Sequence, residues 1–158
     1  MTRSLQSAGV LAFRTRDGSL EVMLVHPGGP YWKNKDNGAW SIPKGEFDES
    51  ETPLEAARRE FEEETGRAVV AGEFVALTPR RLRSGKIVHA FAVEDDFEVA
   101  GLHSNHFTMQ WPPGSGQQKS FPEVDRYAWF SLDEAMRKIN VGQQPFLAEL
   151  SALVAAAR

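Results

Sequence analysis

The sequence predicts a mixed α/β chain of the α+β kind, an α/β/α sandwich built on a mixed β-sheet. Three observations carry that expectation. Strand-like apolar runs dominate the first two thirds of the chain, one capped helix interrupts them after Thr52, and two helical segments follow Ser131 and Gln144.

Residues 7–14 and 20–26 read as strands joined by a turn at Asp17-Gly18. Residues 26–38 form a polar, glycine-containing loop that carries Tyr31 and Trp32, and 40–42 form a short strand leading to a Pro43-Lys44-Gly45-Glu46 loop. The next helix has clear ends. Thr52 supplies an N-cap hydroxyl, Pro53 a first-turn proline, Glu55 the capping-box acid and Gly66 a left-handed exit. Leu54, Ala57 and Phe61 form its apolar stripe, flanked by Glu60, Glu63 and Glu64. Residues 69–78 and 86–94 read as strands joined at Ser84-Gly85, 107–111 as a short strand, and 112–122 as a Pro/Gly-rich loop. Residues 127–130 form a strand, Ser131 caps a helix to about residue 139, and Pro145 opens a last helix. The apolar stripe of that helix is Phe146, Leu147, Leu150, Leu153 and Val154.

Composition bounds the class. A chain of 158 residues predicts one domain with a sizeable core, and 41% hydrophobic with 25% charged residues is ordinary for a soluble globule. The formal net charge of −4 argues against broad nucleic-acid binding, which needs a basic face, while leaving room for a local phosphate cleft. The absence of cysteine excludes disulfides and thiolate metal sites and fits a reducing cytoplasm. Neither a secretory apolar stretch nor a run of about 18 apolar residues is present, so export and membrane spans are not expected.

The informative chemistry lies on the capped helix. Glu60, Glu63 and Glu64 fall within roughly 100° of arc on a 3.6-residue period. Like charges so spaced repel one another, and a hard divalent cation such as Mg²⁺ or Mn²⁺ relieves that repulsion. An exposed helix laced by Glu55–Arg59 and Arg59–Glu63 pairs is the plainer reading of an acidic, arginine-containing segment. What favours the cation is the surrounding spacing, G-x5-E-x7-R-E-U-x-E-E-x-G with U apolar, filled by Gly45, Glu51, Arg59, Glu60, Phe61, Glu63, Glu64 and Gly66.

That spacing resembles the signature of the Nudix hydrolases. The likeness spans residues 45–67 and departs from the pattern at its last apolar position, which is Arg67; Val69 or Val70 is expected to take over the packing. The resemblance implies the Nudix sandwich and metal-dependent hydrolysis of a nucleoside diphosphate linked to another group. Carried over by position, Glu60, Glu63 and Glu64 hold the cation with the Gly45 carbonyl, Glu60 shares in activating water, Arg59 orients the carboxylates, and Glu51 supports the loop. The stretch Trp40-Ser41-Ile42-Pro43-Lys44-Gly45 resembles the W-x-x-P-K-G approach of Nudix enzymes that act on highly phosphorylated nucleotides, with Lys44 placed to meet a phosphate.

Outside the motif, Glu123 precedes Trp129 in an E-x5-W arrangement that resembles the cross-cleft acid of many Nudix enzymes; Glu94, Asp95 and Asp96 compete for that role. Lys86, Arg81 and Arg83 are phosphate-contact candidates, and Trp32, Tyr31 and Trp111 are candidates for stacking on a base. His26, His89, His103 and His106 lack metal-ligand spacing and read as structural or surface residues.

The expectation is a Mg²⁺- or Mn²⁺-dependent pyrophosphohydrolase with a nucleotide-type small molecule as substrate, best matched by diadenosine tetraphosphate or a related dinucleoside polyphosphate. A nucleoside-triphosphate-sanitising enzyme resembling the MutT type is the competing enzyme reading, and a catalytically idle nucleotide-sensing module is the rival from another class. The chain is expected to act as a monomer or homodimer.

Overall fold

A computed structural model describes residues 5–69 and 72–157. Its first hairpin joins β1 (Gln6–Arg16) to β2 (Ser19–Pro27) through Asp17 and Gly18, both at positive φ, 52° and 78°. Two successive left-handed residues give the turn twist that antiparallel strands favour. β1 continues parallel to β6 (Ile87–Glu94), and β2 pairs antiparallel with β9 (Val124–Ser131). β3 (Lys44–Phe47) lies antiparallel on β1 with Gly45 opposite Ala8. The short strands β4 (Val75–Ala76) and β5 (Arg80–Arg81) both pair with β6. The result is the expected mixed sheet, ordered β4-β6-β1-β2-β9.

Successive residues of a strand face opposite sides, and the centre of β1 is buried on both. Val10, Met23, Val25 and Val93 meet Ala56, Ala57 and Phe61 of α1 (Pro53–Thr65). On the other face, Leu11, Val22, Leu24 and Ala90 pack with Ala135 of α2 (Leu132–Lys138) and with Phe146, Leu147 and Leu150 of α3 (Gln144–Ala156). Fully burying a side chain such as Phe61 or Phe146 contributes roughly 1.5–3 kcal/mol. Leu153, expected on this stripe, is 42% exposed, on the wall of a groove it shares with Phe13, Val75 and Val154. Among the described residues no helix is long and apolar enough to cross a membrane.

The helix limits follow the sequence. Thr52 Oγ1 accepts from the Glu55 N–H, the Glu55 carboxylate accepts from the Thr52 N–H, and Gly66 sits at φ 77° with its N–H donating to the Glu62 carbonyl. The stripe differs from expectation: Ala56, Ala57, Glu60, Phe61 and Thr65 are the buried positions, so Glu60 belongs to the packed face rather than its flank.

Three segments also differ from the sequence reading. The strand expected at 40–42 is two isolated bridges, Trp40 to Ile139 and Ser41 to Val25, and pairing along β1 begins instead at Lys44. Pro43 has no N–H to give a ladder, so only its carbonyl engages, accepting from Val10, and the expected Lys44-Gly45-Glu46 loop is a strand. Among the described residues of 69–78 only Val75 and Ala76 pair, with Leu77 adding one bond to the Ala90 carbonyl; Val70, a candidate for packing after the helix, lies outside the described residues. The expected loop 112–122 contains β8 (Gln118–Pro122), which forms a separate hairpin with β7 (His106–Gln110). The Pro and Gly signals there mark only the tip, and the polar Gln118-Lys119-Ser120 run hid the strand.

Candidate active site

α1 and β3 meet where Gly45 faces Glu60. A Cβ built on Gly45 would lie 1.9 Å from Glu60 Oε1, so the carboxylate occupies the space that a side chain would need. Gly9, beside Lys44 in the β1–β3 register, is equally constrained, since its Cβ would stand 2.3 Å from the Pro43 carbonyl oxygen. These close approaches bring the strand backbone onto the acidic face of the helix.

Arg59 organises that face. Its Nε and Nη2 each donate to Glu51 at 2.8 Å in a bidentate fork, and Nη1 donates to Glu60 Oε2 at 2.6 Å and more loosely to Glu63 at 3.3 Å. These bonds raise the guanidinium's pKa, with Glu51 the largest contributor, and the same bond holds Glu51 below the usual carboxylate range. Glu51 thus anchors the Arg59 guanidinium through both of its carboxylate oxygens.

The reactive-looking acids behave differently. Burial pushes the Glu64 carboxyl up to about 8, reinforced by the charges of Glu60 and Glu123. Burial also raises Glu60, with Glu63 and Glu123 adding to the effect against Arg59. Glu123 is raised by partial burial and by Glu63. Mutual repulsion therefore links Glu123, between β8 and β9, to the helix acids. Lys44 is lowered by burial and by the neighbouring Lys86 charge, while Glu64, Glu46 and Glu60 oppose that shift.

A cavity of about 260 Å³ opens beside this cluster, with Lys44, Glu64, Glu123 and Trp32 on its wall and Gln143 toward its floor. Gln143 is 2% exposed; its Oε1 accepts from the Ile42 N–H and its Nε2 donates to Ser41 Oγ, so it braces the segment before Lys44. A larger cleft of about 810 Å³ lies along β9 and lacks Glu60, Glu63, Glu64 and Lys44.

Other expected site residues fall elsewhere. Tyr31 does not line the cavity and meets Trp111 edge-to-face, with centroids 5.4 Å apart. Lys86 pairs with Glu46 at the rim. Asp95 binds Arg67 at 3.0 Å and Asp96 binds Arg14 at 2.9 Å, and neither lines the cavity that Glu123 lines. Arg67, the departure from the motif, lies over the Phe97 ring at 4.5 Å, while the buried Val69 takes the apolar place beside Phe61. Arg81 donates to the Gly85 carbonyl of its own turn. Sequence reasoning missed Tyr127, whose hydroxyl donates to the Glu64 carbonyl and whose pKa burial pushes up to about 12. It also missed Gly28, where a Cβ would stand 2.0 Å from the Pro122 carbonyl oxygen.

The donor set suits a hard divalent cation, although among the described residues no three acidic or imidazole groups form a ready cage. Carboxylates that raise one another's pKa, packed against a glycine backbone, are what such an ion would neutralise.

The chain matches the NUDIX domain over residues 4–150. It belongs to the Nudix family. Among curated relatives, the RNA pyrophosphohydrolase of Helicobacter pylori (strain G27) is 33% identical over 110 residues, covering 65% of this chain and 64% of that protein. The chain thus spans just under two thirds of that relative's length. The 8-oxo-(d)GTP phosphatase of Mycolicibacterium smegmatis is 31% identical over 123 residues, covering 77% of this chain and 30% of that protein. The Nudix sandwich recurs in the solved C. elegans Ap4A hydrolase binary complex, with a TM-score of 0.66 and 18% identity over 95% of this chain and 98% of that one.

Proposed function

We propose that this Nudix protein is a divalent-cation-dependent pyrophosphohydrolase acting on a nucleoside that bears a phosphate chain, with a dinucleoside polyphosphate such as diadenosine tetraphosphate as leading substrate. One observation carries the reading: Lys44, Glu64, Glu123 and Trp32 line a single cavity beside Glu60 and Arg59. In this reading Lys44 is the cation for phosphate, Glu64 and Glu123 serve metal and water, and Trp32 offers its ring to a base.

Glu60, Glu63 and Glu64, with the Gly45 carbonyl, are the residues that would hold Mg²⁺ or Mn²⁺. When bound, such an ion neutralises phosphate charge and makes a coordinated water more acidic. Arg59 keeps Glu60 and Glu63 oriented, and its own position is fixed by the Glu51 fork. Lys44 presents a half-buried ammonium to the phosphate chain, and Glu123, lining the same cavity, serves as a proton acceptor. The 260 Å³ cavity has room for one nucleobase, while the Tyr31–Trp111 pair outside it offers an aromatic surface to a second. That second surface favours a two-nucleoside substrate over a mononucleotide.

An RNA end bearing a phosphate chain is the second reading, favoured by the similarity to the Helicobacter pylori RNA pyrophosphohydrolase. Both are tested by one panel: diadenosine tetraphosphate, the nucleoside triphosphates, an oxidised guanine triphosphate, ADP-ribose and 5′-triphosphorylated RNA, each with and without Mg²⁺, products being resolved by ion-pair chromatography. Preferred cleavage of diadenosine tetraphosphate supports the first reading, and preference for RNA supports the second. Preference for mononucleotides overturns both in favour of a sanitising enzyme. Nucleotide binding without turnover supports a sensing module.

A further inference from the structure

His26 is 0% exposed, yet both of its ring nitrogens are engaged. Nε2 lies 2.7 Å from the Lys35 carbonyl oxygen, which can only accept, so Nε2 carries a hydrogen. Nδ1 lies 2.7 Å from Asp125 Oδ1. Trp40 closes the ring edge-on with centroids 5.2 Å apart. One buried imidazole therefore ties two segments remote in sequence: the loop that carries Trp32, and the start of β9 just after Glu123.

The strand register explains why Asp125 is available. His26 pairs with Arg126, but the next residue, Pro27, pairs with Val124, so Asp125 is the extra residue of a β-bulge. A bulge re-aims side chains and ends regular pairing. Beyond it the Gly28 N–H donates to the Glu123 carbonyl at 2.9 Å, and the missing Cβ of Gly28 admits the Pro122 carbonyl.

We infer that His26 and Asp125 form a positioning clamp that holds the bulge so that Glu123 faces the helix acids, while the Lys35 bond holds the Trp32 loop on the same cavity. The clamp touches no substrate and acts through Glu123 and Trp32. It rests on the reading of Glu123 as a cleft acid given above.

The test is a double-mutant cycle on the full chain. Asp125→Ala leaves Nδ1 without its partner and should lower kcat about tenfold or more with a smaller change in KM; adding it to Glu123→Gln should then cost little further. Asp125→Asn should restore most of the activity, because its amide can donate to Nδ1 while Nε2 still donates to Lys35. A second readout does not need turnover: hydrogen exchange at the Gly28 amide should accelerate in Asp125→Ala and stay near the wild-type rate in Asp125→Asn. Additive losses in the cycle, or an unchanged Gly28 exchange rate, overturn the clamp. If the wild-type protein hydrolyses nothing in the nucleotide panel, the pyrophosphohydrolase reading fails by itself, and the exchange data alone decide whether the clamp exists.

Discussion

Glu60 and Gly45 compete for one volume: the glutamate oxygen stands 1.9 Å from where a Cβ on residue 45 would be. Gly45→Ala must therefore push the carboxylate off its Arg59 bond or pull β3 away from β1. Either response displaces a proposed cation ligand. The expected outcome is a fall in kcat of about 10²-fold or more, as sub-ångström placement of catalytic groups commands such factors. Destabilisation should accompany it, because overpacking a filled site costs about 1–3 kcal/mol. Steady-state kinetics and thermal denaturation check both, and a fully active, stable Gly45→Ala protein would contradict the arrangement.

Glu64 makes the metal-free protein sensitive to alkaline pH. Its folded pKa is about 8 against an ordinary 4.5, so the folded state keeps a proton that the unfolded state releases. Stability from this group is full below about 4.5 and is lost progressively as pH rises to about 8. In EDTA, the melting temperature of Glu64→Gln should exceed that of the wild type by a margin that widens over this window and then levels off. Divalent cation affinity of the wild type should rise over the same window, because binding must displace the proton. The same substitution is expected to lower cation-dependent turnover by about 10²–10⁴-fold.

What the sequence disclosed was local. Thr52, Pro53, Glu55 and Gly66 set the helix limits through contacts within a few residues, and Arg59, Glu60, Glu63 and Glu64 share one stretch of that helix. What it hid depends on pairing between distant segments. β3 follows from its register on β1, β8 from its register on β7, and the bulge at Asp125 from its register on β2. Glu123 stands out in the sequence by its spacing to Trp129, but the tryptophan itself donates to the Phe97 carbonyl and does not line the cavity. Tyr127 and Gly28 carried no signal of their own, because a single hydroxyl or a missing side chain gains meaning only once the opposing carbonyl is placed.

Arg59 should not be replaceable by lysine. Its fork makes two parallel 2.8 Å bonds to Glu51 while a third nitrogen serves Glu60, a geometry that a point-charge ammonium cannot reproduce. Arg59→Ala leaves Glu60, only 8% exposed, without its charge partner. Because Arg59 itself is partly exposed, the expected cost is about 1–3 kcal/mol, below that of a fully buried pair. Arg59→Lys should recover part of the stability and little of the turnover. Denaturant unfolding together with kcat for both variants checks this, and full rescue by lysine would reduce Arg59 to a charge balance.

Tyr127 joins β9 to the C-terminal end of α1 by donating its hydroxyl to the Glu64 carbonyl. Tyr127→Phe keeps the ring packed beside the α1 core and removes the hydroxyl, with its bond to the Glu64 carbonyl and its contact with Ser104. The expected loss is about 1–2 kcal/mol of stability. Because the bond fixes the backbone of Glu64 itself, kcat should also fall, by about three- to tenfold, with little change in KM, the pattern of an interaction that serves the transition state more than substrate binding. Thermal denaturation and steady-state kinetics on the preferred substrate separate the two effects. A stability loss with unchanged kcat would show that the helix end is held in place by packing alone, and that Tyr127 adds strength to the fold without setting the position of Glu64.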